Sequence, residues 1–147
     1  MSDLYDTDFY AWANEQAALL RAGRAQAADI AHIAEEIESM GRSEKRELGS
    51  RLAVLLTHLL KWHAQPERRG RSWLLTIREQ RRQVAKVLAD NPSLRPHLAT
   101  LMAEAYEDAL LAAQRESDLP ESAFPASLPW TFEQAMQDEP PETGDPR

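Results

Sequence analysis

The sequence contains no cysteine, and this absence excludes disulfide bonds, thiolate metal sites and a cysteine nucleophile. A reducing cytoplasm is the compartment that best fits a chain without cysteine. The N-terminus, Met1–Asp6, is acidic and lacks the basic and apolar regions of a signal peptide. The most apolar stretch, Leu52–Leu60, is too short to cross a bilayer. We therefore expect a cytoplasmic protein that is not secreted and has no membrane partner.

Glycine is scarce, with five among 147 residues, and long runs of alternating β-branched residues are absent. Alanine, leucine, glutamate, arginine and glutamine dominate, and these residues favour helices because they lose little side-chain entropy there. Hydrophobic residues make up 43% of the chain and charged residues 28%. This composition is enough for a core and a solvated surface, so we predict one all-α domain over residues 1–137.

Apolar spacing predicts a helical bundle of about five main helices. The first begins at Thr7 or Asp8, ends near Ala22 and has Gly23 as a stop signal. The second begins near Asp29, and apolar residues recur along it every three or four positions up to Met40. Gly41 ends this helix, or a single kinked helix continues through it.

The third predicted helix is the centre of the bundle, because its leucines alternate at spacings of four and three from Leu48 to Trp62. The fourth begins at Ser72 and ends before Asn91, and the fifth begins at Ser93 and ends near Glu116.

Beyond Glu116, prolines punctuate a segment that we predict to be an extended strap, pinned to the bundle by Phe124, Leu128 and Trp130. Thr131 and Gln134 form a capping-box pattern for one short helix through about Gln137. Residues 138–147 are acidic, carry three prolines and are predicted to be a mobile tail.

Charge is unevenly distributed along the chain, whose net charge is −7. Residues 1–40 carry two basic and eight acidic residues, a net charge of −6. Residues 61–86 carry eight basic and two acidic residues, a net charge of +6, and residues 99–147 have a net charge of −9. We favour neutralisation inside the bundle or between copies of the chain over a nucleic-acid surface, for which a basic domain is expected.

One candidate site is a metal centre formed by His32, Glu36 and His58. His32 and Glu36 are one helical turn apart, and a bundle can bring the third helix alongside them. The Glu-x-x-His pairs of di-iron bundles are missing, however, so a solvated acidic face is the explanation we favour. We expect no metal and no cofactor.

A second candidate is a helical ribonuclease or phosphodiesterase. Arg51 and His58 are separated by six residues, a spacing that resembles the loose Arg–His pattern of HEPN-type ribonucleases. In such a site the histidine is the general base and the arginine stabilises phosphate charge. The structural explanation is that Arg51 pairs with Glu47 or a glutamate of the second helix, and that His58 is a satisfied core histidine.

A third candidate is a buried polar network. Arg81 falls on the inward stripe of the fourth helix, while Arg51 and Lys61 lie beside the apolar stripe of the third. Buried cations need acceptors, and we expect these cations to pair with the second helix through its three glutamates, Glu35, Glu36 and Glu38. The network either fixes helix register or forms a ligand pocket.

A fourth candidate is single-stranded nucleic-acid binding through Lys61, Trp62, Trp73 and the arginines between residues 68 and 82, by stacking and phosphate contacts. A tryptophan at an apolar helical position is more often part of a core, so this partner is not favoured.

The order of short motifs resembles a bacterial family called domain of unknown function 29, over about residues 4 to 135. The motifs that carry the resemblance are 6–12, 16–21, 33–41, 50–52, 58–62, 65–66, 72–73, 76–77, 80–81, 92–94 and 124–125. The resemblance implies a small, single-domain helical protein of bacterial origin and gives no residue a catalytic role. The motifs do include the polar positions selected above, namely Glu35, Glu36, Glu38, Arg51, His58, Lys61, Trp62 and Arg81.

We therefore expect a non-enzymatic protein-interaction module that binds an unknown protein partner or a second copy of itself. The alternative from another class is the phosphodiester-cleaving enzyme with Arg51 and His58.

Overall fold

A computed structural model of the chain describes residues 4–137, and within this range every regular element is helical. The all-α prediction is confirmed. The tail predicted for residues 138–147 lies outside the described residues. The α-helices are α1 (Leu4–Thr7), α2 (Phe9–Arg21), α3 (Ile30–Ala64), α4 (Arg71–Asp90), α5 (Leu98–Ser117) and α6 (Phe132–Ala135).

Helix α3 joins the second and third predicted helices into one, so the continuous alternative is the one observed. Gly41 lies inside α3 and does not adopt a left-handed backbone conformation. A glycine within a helix costs about 1 kcal/mol relative to alanine. Ending the helix there would instead leave backbone groups without partners, and strong helix formers follow Gly41 from Arg42 to Glu47.

The helix ends follow the predicted caps in part. Asp8 caps α2 by accepting a hydrogen bond from the Ala11 backbone at 3.0 Å, and the Thr131–Gln134 capping box is present at α6. The predicted starts at Ser72 and Ser93 are wrong. Helix α4 begins one residue earlier, at Arg71, and Pro92–His97 form a 3-10 turn before α5. Two prolines lie in that turn, and a proline prevents the regular α-helical hydrogen bonds.

The chain divides into two compact units, residues 1–43 and 44–147. The described part of the first unit contains α1, α2 and the first turns of α3, and only Trp12 and Gln16 are buried in it. The described part of the second unit contains the rest of α3 and α4 to α6. The assignment of residues 1–137 to one domain stays a prediction. No helix in the described part of either unit is long and apolar enough to span a membrane.

The second unit has an apolar core centred on α3. The predicted stripe residues Leu48, Leu52, Leu55 and Leu59 are fully buried, whereas Trp62 is only half-buried. The residues of α4 and α5 that share this core are Ile77, Val84, Val87, Leu88, Leu101, Met102, Ala105, Tyr106, Ala109 and Ala113. This core forms because the stripe is broad enough to contact two helices at once.

The C-terminal strap is held on the second unit by apolar anchors and by hydrogen bonds. Phe124 and Trp130 are buried, as predicted, while Leu128 is half-buried. The Tyr106 hydroxyl donates to the Pro125 carbonyl at 2.6 Å, and Arg81 Nε donates to the Ala135 carbonyl at 2.9 Å. The strap therefore provides an acceptor for the Nε–H of a buried guanidinium as well as covering apolar surface.

Truncation of a core leucine tests the central position of α3. We expect Leu55→Ala to lower the free energy of unfolding by about 2–5 kcal/mol, because it removes buried methyl groups and leaves a cavity. The matched control is Leu111→Ala on α5, whose side chain is 61% exposed. Its expected effect is within about 0.5 kcal/mol. Urea denaturation measures both, and equal losses would contradict the assignment of the core.

Candidate functional site

The polar residues selected from the sequence divide between the two units. The first unit holds His32, Glu35, Glu36 and Glu38, and the second holds Arg51, His58, Lys61, Trp62 and Arg81. Each group is described with its own partners.

In the first unit, five side chains from three helices and one helix cap form what we call the N-terminal polar cluster: Tyr5, Trp12, Asp29, His32 and Glu36. Asp29 Oδ2 accepts a hydrogen bond from Trp12 Nε1 at 3.3 Å and lies 2.7 Å from His32 Nδ1. The Tyr5 ring stacks on the His32 ring, with centroids 3.8 Å apart and planes 14° apart. The Tyr5 hydroxyl donates a short hydrogen bond to Glu36. The cluster thus links α1 and α2 to the start of α3.

Local sequence rules place these side chains. Asp29 precedes α3, and its Oδ1 accepts from the His32 backbone at 3.3 Å, the hydrogen bond expected of an N-cap. His32 and Glu36 are four residues apart and so lie on one face of α3. On α2, Trp12 and Gln16 have the same spacing, and Gln16 Oε1 accepts from the Asp29 backbone at 2.6 Å.

The protonation states of the cluster follow from these contacts. The hydrogen bond from His32 is the main cause that lowers the pKa of Asp29, and the same bond raises the pKa of His32. The hydrogen bond to Glu36 raises the pKa of Tyr5 to about 12, so the phenol stays neutral at physiological pH. Asp29 is therefore an anion that accepts hydrogen bonds from the Trp12 and His32 side chains, and Glu36 accepts a hydrogen bond from Tyr5.

The candidate metal site of His32, Glu36 and His58, which we did not favour from the sequence, is not assembled among the described residues. Within residues 4–137 no group of three histidine or acidic side chains is arranged to hold a metal ion. His32 is bound to Asp29, and Glu36 accepts from Tyr5. His58 is on the same helix as the other two, and not on a neighbouring helix as the prediction required.

In the second unit, α3, α4 and α5 form what we call the lysine cluster: His58, Lys61, Trp73 and Glu116. Lys61 is buried, and its Nζ donates to Glu116 Oε1 at 2.8 Å. The same ammonium lies 4.9 Å from the centre of the Trp73 ring, within the range of a cation–π interaction. The buried lysine therefore has both an anionic and an aromatic partner.

His58 lies one turn before Lys61 and is half-buried. Its Nδ1 is 3.0 Å from the Val54 carbonyl. Burial is the main cause that lowers the pKa of His58, and the charge of Lys61 lowers it further, so the ring is neutral at physiological pH. In the neutral form the Val54 carbonyl selects the tautomer with the proton on Nδ1, which leaves Nε2 able to accept a proton.

The partners of Arg51 and Trp62 are local. Arg51 Nε lies 3.3 Å from Glu47 Oε2, so the pairing with Glu47 considered from the sequence is confirmed. The Arg69 guanidinium covers the Trp62 ring at 5.2 Å, and Arg69 Nε donates to the Trp62 carbonyl at 2.6 Å. The assignment of a ribonuclease activity to Arg51 and His58 stays a prediction.

The polar network was predicted with the wrong partners. It required Arg51, Lys61 and Arg81 to pair with glutamates of a separate second helix, and that helix is the first part of α3 itself. The cations use Glu47, Glu116 and the Ala135 carbonyl instead. Sequence spacing reveals the i,i+4 pair of Glu47 and Arg51, but Glu116 is 55 residues from Lys61, and no local signal connects them.

Comparison with known families gives a match over most of the chain. The sequence model of a family described as Domain of unknown function DUF29 matches residues 4–139, which confirms the resemblance inferred from the motifs. Neither the curated proteins nor the solved structures contain a match.

The ion pair between Lys61 and Glu116 is asymmetric, because the lysine side chain is 9% exposed and the glutamate side chain 44%. Glu116→Gln leaves a buried ammonium without its anion, and we expect a loss of about 1–3 kcal/mol in the free energy of unfolding. Lys61→Met leaves only a partly solvated carboxylate, and we expect a change within about 1 kcal/mol. Urea denaturation of the two variants checks this order, and a larger loss for Lys61→Met would contradict it.

The N-terminal polar cluster predicts a pH window for the stability of the first unit. Because the pKa of His32 is raised, the contribution of His32 to the free energy of unfolding is complete below pH 6.5, its ordinary pKa. This contribution is lost as the pH rises through the raised pKa. Because the pKa of Asp29 is lowered, the contribution of Asp29 to the free energy of unfolding is complete above pH 3.8, its ordinary pKa. This contribution is lost as the pH falls through the lowered pKa. The stability of the first unit should therefore be greatest between pH 3.8 and pH 6.5.

Urea titrations followed by the NMR resonances of Trp12 measure this window. In His32→Ala the decline above pH 6.5 should disappear, whereas His97→Ala, an exposed histidine in the second unit, should leave it unchanged. A decline that persists in His32→Ala would refute the assignment.

Proposed function

The chain belongs to the family described as domain of unknown function DUF29, and we propose that it is a helical protein-interaction module. In this proposal it is non-enzymatic, and residues 4–43 carry the binding surface. The absence of cysteine supports a cytoplasmic location, and the resemblance to the family supports a bacterial source.

The observation that carries the proposal is an apolar stripe on the first part of α3: Ile30, Ile37 and Met40. These side chains are 55%, 62% and 66% exposed. Their spacings of seven and three residues place them on one side of the helix. In the second unit, leucines with equivalent spacing on the same helix are fully buried in the core. Burial of one such side chain contributes about 1.5–3 kcal/mol, so an exposed stripe is a surface on which a partner gains stability.

Helix α2 adds apolar and aromatic surface to the same unit. Phe9, Tyr10 and Leu20 are 48%, 79% and 46% exposed. Tyrosine and other aromatic residues are enriched at interfaces because each covers a large area with few rotatable bonds. The first unit therefore offers more apolar side chains to solvent than it buries.

The N-terminal polar cluster supports the proposal by ordering this unit. Only Trp12 and Gln16 are buried among its described residues, so hydrogen bonds, and not an apolar core, hold α1 and α2 against α3. A preorganised surface binds more tightly, because less conformational freedom is lost on association.

Site-specific photocrosslinking of the full chain in its host cells tests the proposal. A photoreactive amino acid in place of Ile37 should give discrete adducts of higher mass. The matched control is the same amino acid in place of Glu107, an exposed residue of α5, and it should give none. Adding Met40→Asp should lower the adduct yield about tenfold or more, since charge in an apolar interface is costly. Equal labelling at Ile37 and Glu107 would overturn the proposal.

A further inference from the structure

Helix α4 carries a line of basic residues on the side that faces away from the core. We call this line the basic stripe: Arg71, Arg78, Arg82 and Lys86. All four are exposed. Their spacings of seven, four and four residues place them on one side of α4, over about 22 Å of helix. None of the four forms an ion pair with any residue between 4 and 137.

The acidic residues near α4 leave the basic stripe without a partner. Glu116 is bound to the buried Lys61. Glu79 lies at the edge of the stripe and accepts a hydrogen bond from Gln83. Like charges four residues apart on a helix repel each other, so an external anion stabilises this side of α4.

Most of the negative net charge of the chain comes from other segments. Residues 44–137 carry thirteen basic and twelve acidic residues, a net charge of +1. Residues 1–43 have a net charge of −5, and residues 138–147 a net charge of −3. Because charges are screened over about 8 Å at physiological ionic strength, the local charge of a surface decides which ions it attracts. The net charge of the chain therefore does not exclude an anionic partner for the basic stripe.

The composition of this surface favours nucleic acid over a protein or a membrane. Leu75 is the one large apolar side chain among the exposed residues of α4. A stable protein interface has a centre that is depleted of charge, whereas this surface is charged along its length. An amphipathic helix binds a membrane through its apolar face, and that face of α4 is buried in the core. Nucleic acid is held mainly by lysine and arginine on its phosphates, and a guanidinium binds phosphate oxygens in pairs.

An aromatic ring lies close to the start of the basic stripe. The Arg69 guanidinium covers the Trp62 ring at 5.2 Å, and Arg69 is two residues before Arg71. Trp62 is half-buried and Arg69 is exposed, so the pair is in contact with solvent. The bases of a single strand stack on aromatic rings and on guanidinium planes, whereas those of a duplex are already stacked on each other.

We propose that the basic stripe binds single-stranded nucleic acid, with phosphates along α4 and one base against the Trp62–Arg69 pair. The two tryptophans considered from the sequence have different roles in this proposal, because Trp73 is occupied by the buried Lys61. The proposal goes beyond the proposed function, whose surface is assigned to residues 4–43, and either can hold without the other.

Fluorescence anisotropy of the purified full chain tests the binding. The probe is a fluorescein-labelled oligouridine of about 12 nucleotides, a length typical of single-strand sites. Four phosphate contacts predict a slope of about −3 for the logarithm of affinity against that of salt, or a loss of about 50-fold between about 50 and 200 mM salt. Absence of binding at about 50 mM salt, or a slope near zero, would overturn the proposal.

Charge-neutralised variants locate the phosphates. Arg78→Gln with Arg82→Gln should lower the affinity about tenfold or more at about 50 mM salt and reduce the slope to about −1.5, because two contacts are lost. The matched control is Arg21→Gln with Arg24→Gln, which removes the same charge from exposed residues of the first unit. The control should bind like the unchanged chain, and equal losses in both variants would contradict the assignment to α4.

Tryptophan fluorescence tests the stacking. A base stacked on Trp62 should lower the emission of the chain, and Trp62→Phe should remove most of this decrease while leaving the salt slope near −3. The matched control is Trp73→Phe, which should keep the decrease. Circular dichroism checks that every variant remains helical. A decrease that persists in Trp62→Phe would refute the assignment of a base to this ring.

Two competitors determine the class of the partner. Polyglutamate of equal charge, and the same strand annealed to its complement, should each displace the probe less effectively than the unlabelled single strand. Stronger displacement by polyglutamate assigns the basic stripe to an acidic protein and overturns the proposal. Stronger displacement by the duplex overturns the preference for a single strand.

Discussion

The fold depends on the apolar spacing in the second half of α3, a helix of 35 residues. In the second unit this spacing supplies Leu48, Leu52, Leu55 and Leu59, which are buried against α4 and α5. In the first unit an equivalent spacing supplies side chains that stay exposed. Because this spacing recurs where the first unit buries few side chains, the exposed apolar residues of that unit have the composition of an interface.

The two units are stabilised by different forces. The second has a core of buried apolar side chains, and its buried cations are matched by an ion pair and a backbone carbonyl. The first depends on Asp29, which caps α3 and also binds Trp12 and His32. A unit held by exposed hydrogen bonds opens more easily than one held by a core. The conformation of the surface carried by residues 4–43 is therefore sensitive to the protonation of a few side chains.

Local rules predicted the fold where a single signal dominates. The leucine spacing identified the centre of the bundle, and the Thr131–Gln134 capping box identified the last helix. Gly41 was ambiguous from the sequence. Its tendency to break a helix is weak, and the tendency of the surrounding residues to continue the helix is stronger. At Ser93, the prolines on either side, Pro92 and Pro96, outweighed the cap, and a 3-10 turn formed before α5.

The polar contacts were less predictable, because each depends on a residue distant in sequence. Lys61 was correctly placed near the core, but its partner Glu116 is brought close only by the packing of α5 on α3. Tyr5 and Glu36 are 31 residues apart and meet only because α1 contacts α3. The sequence shows how many charges need partners, whereas the fold determines which of them find one.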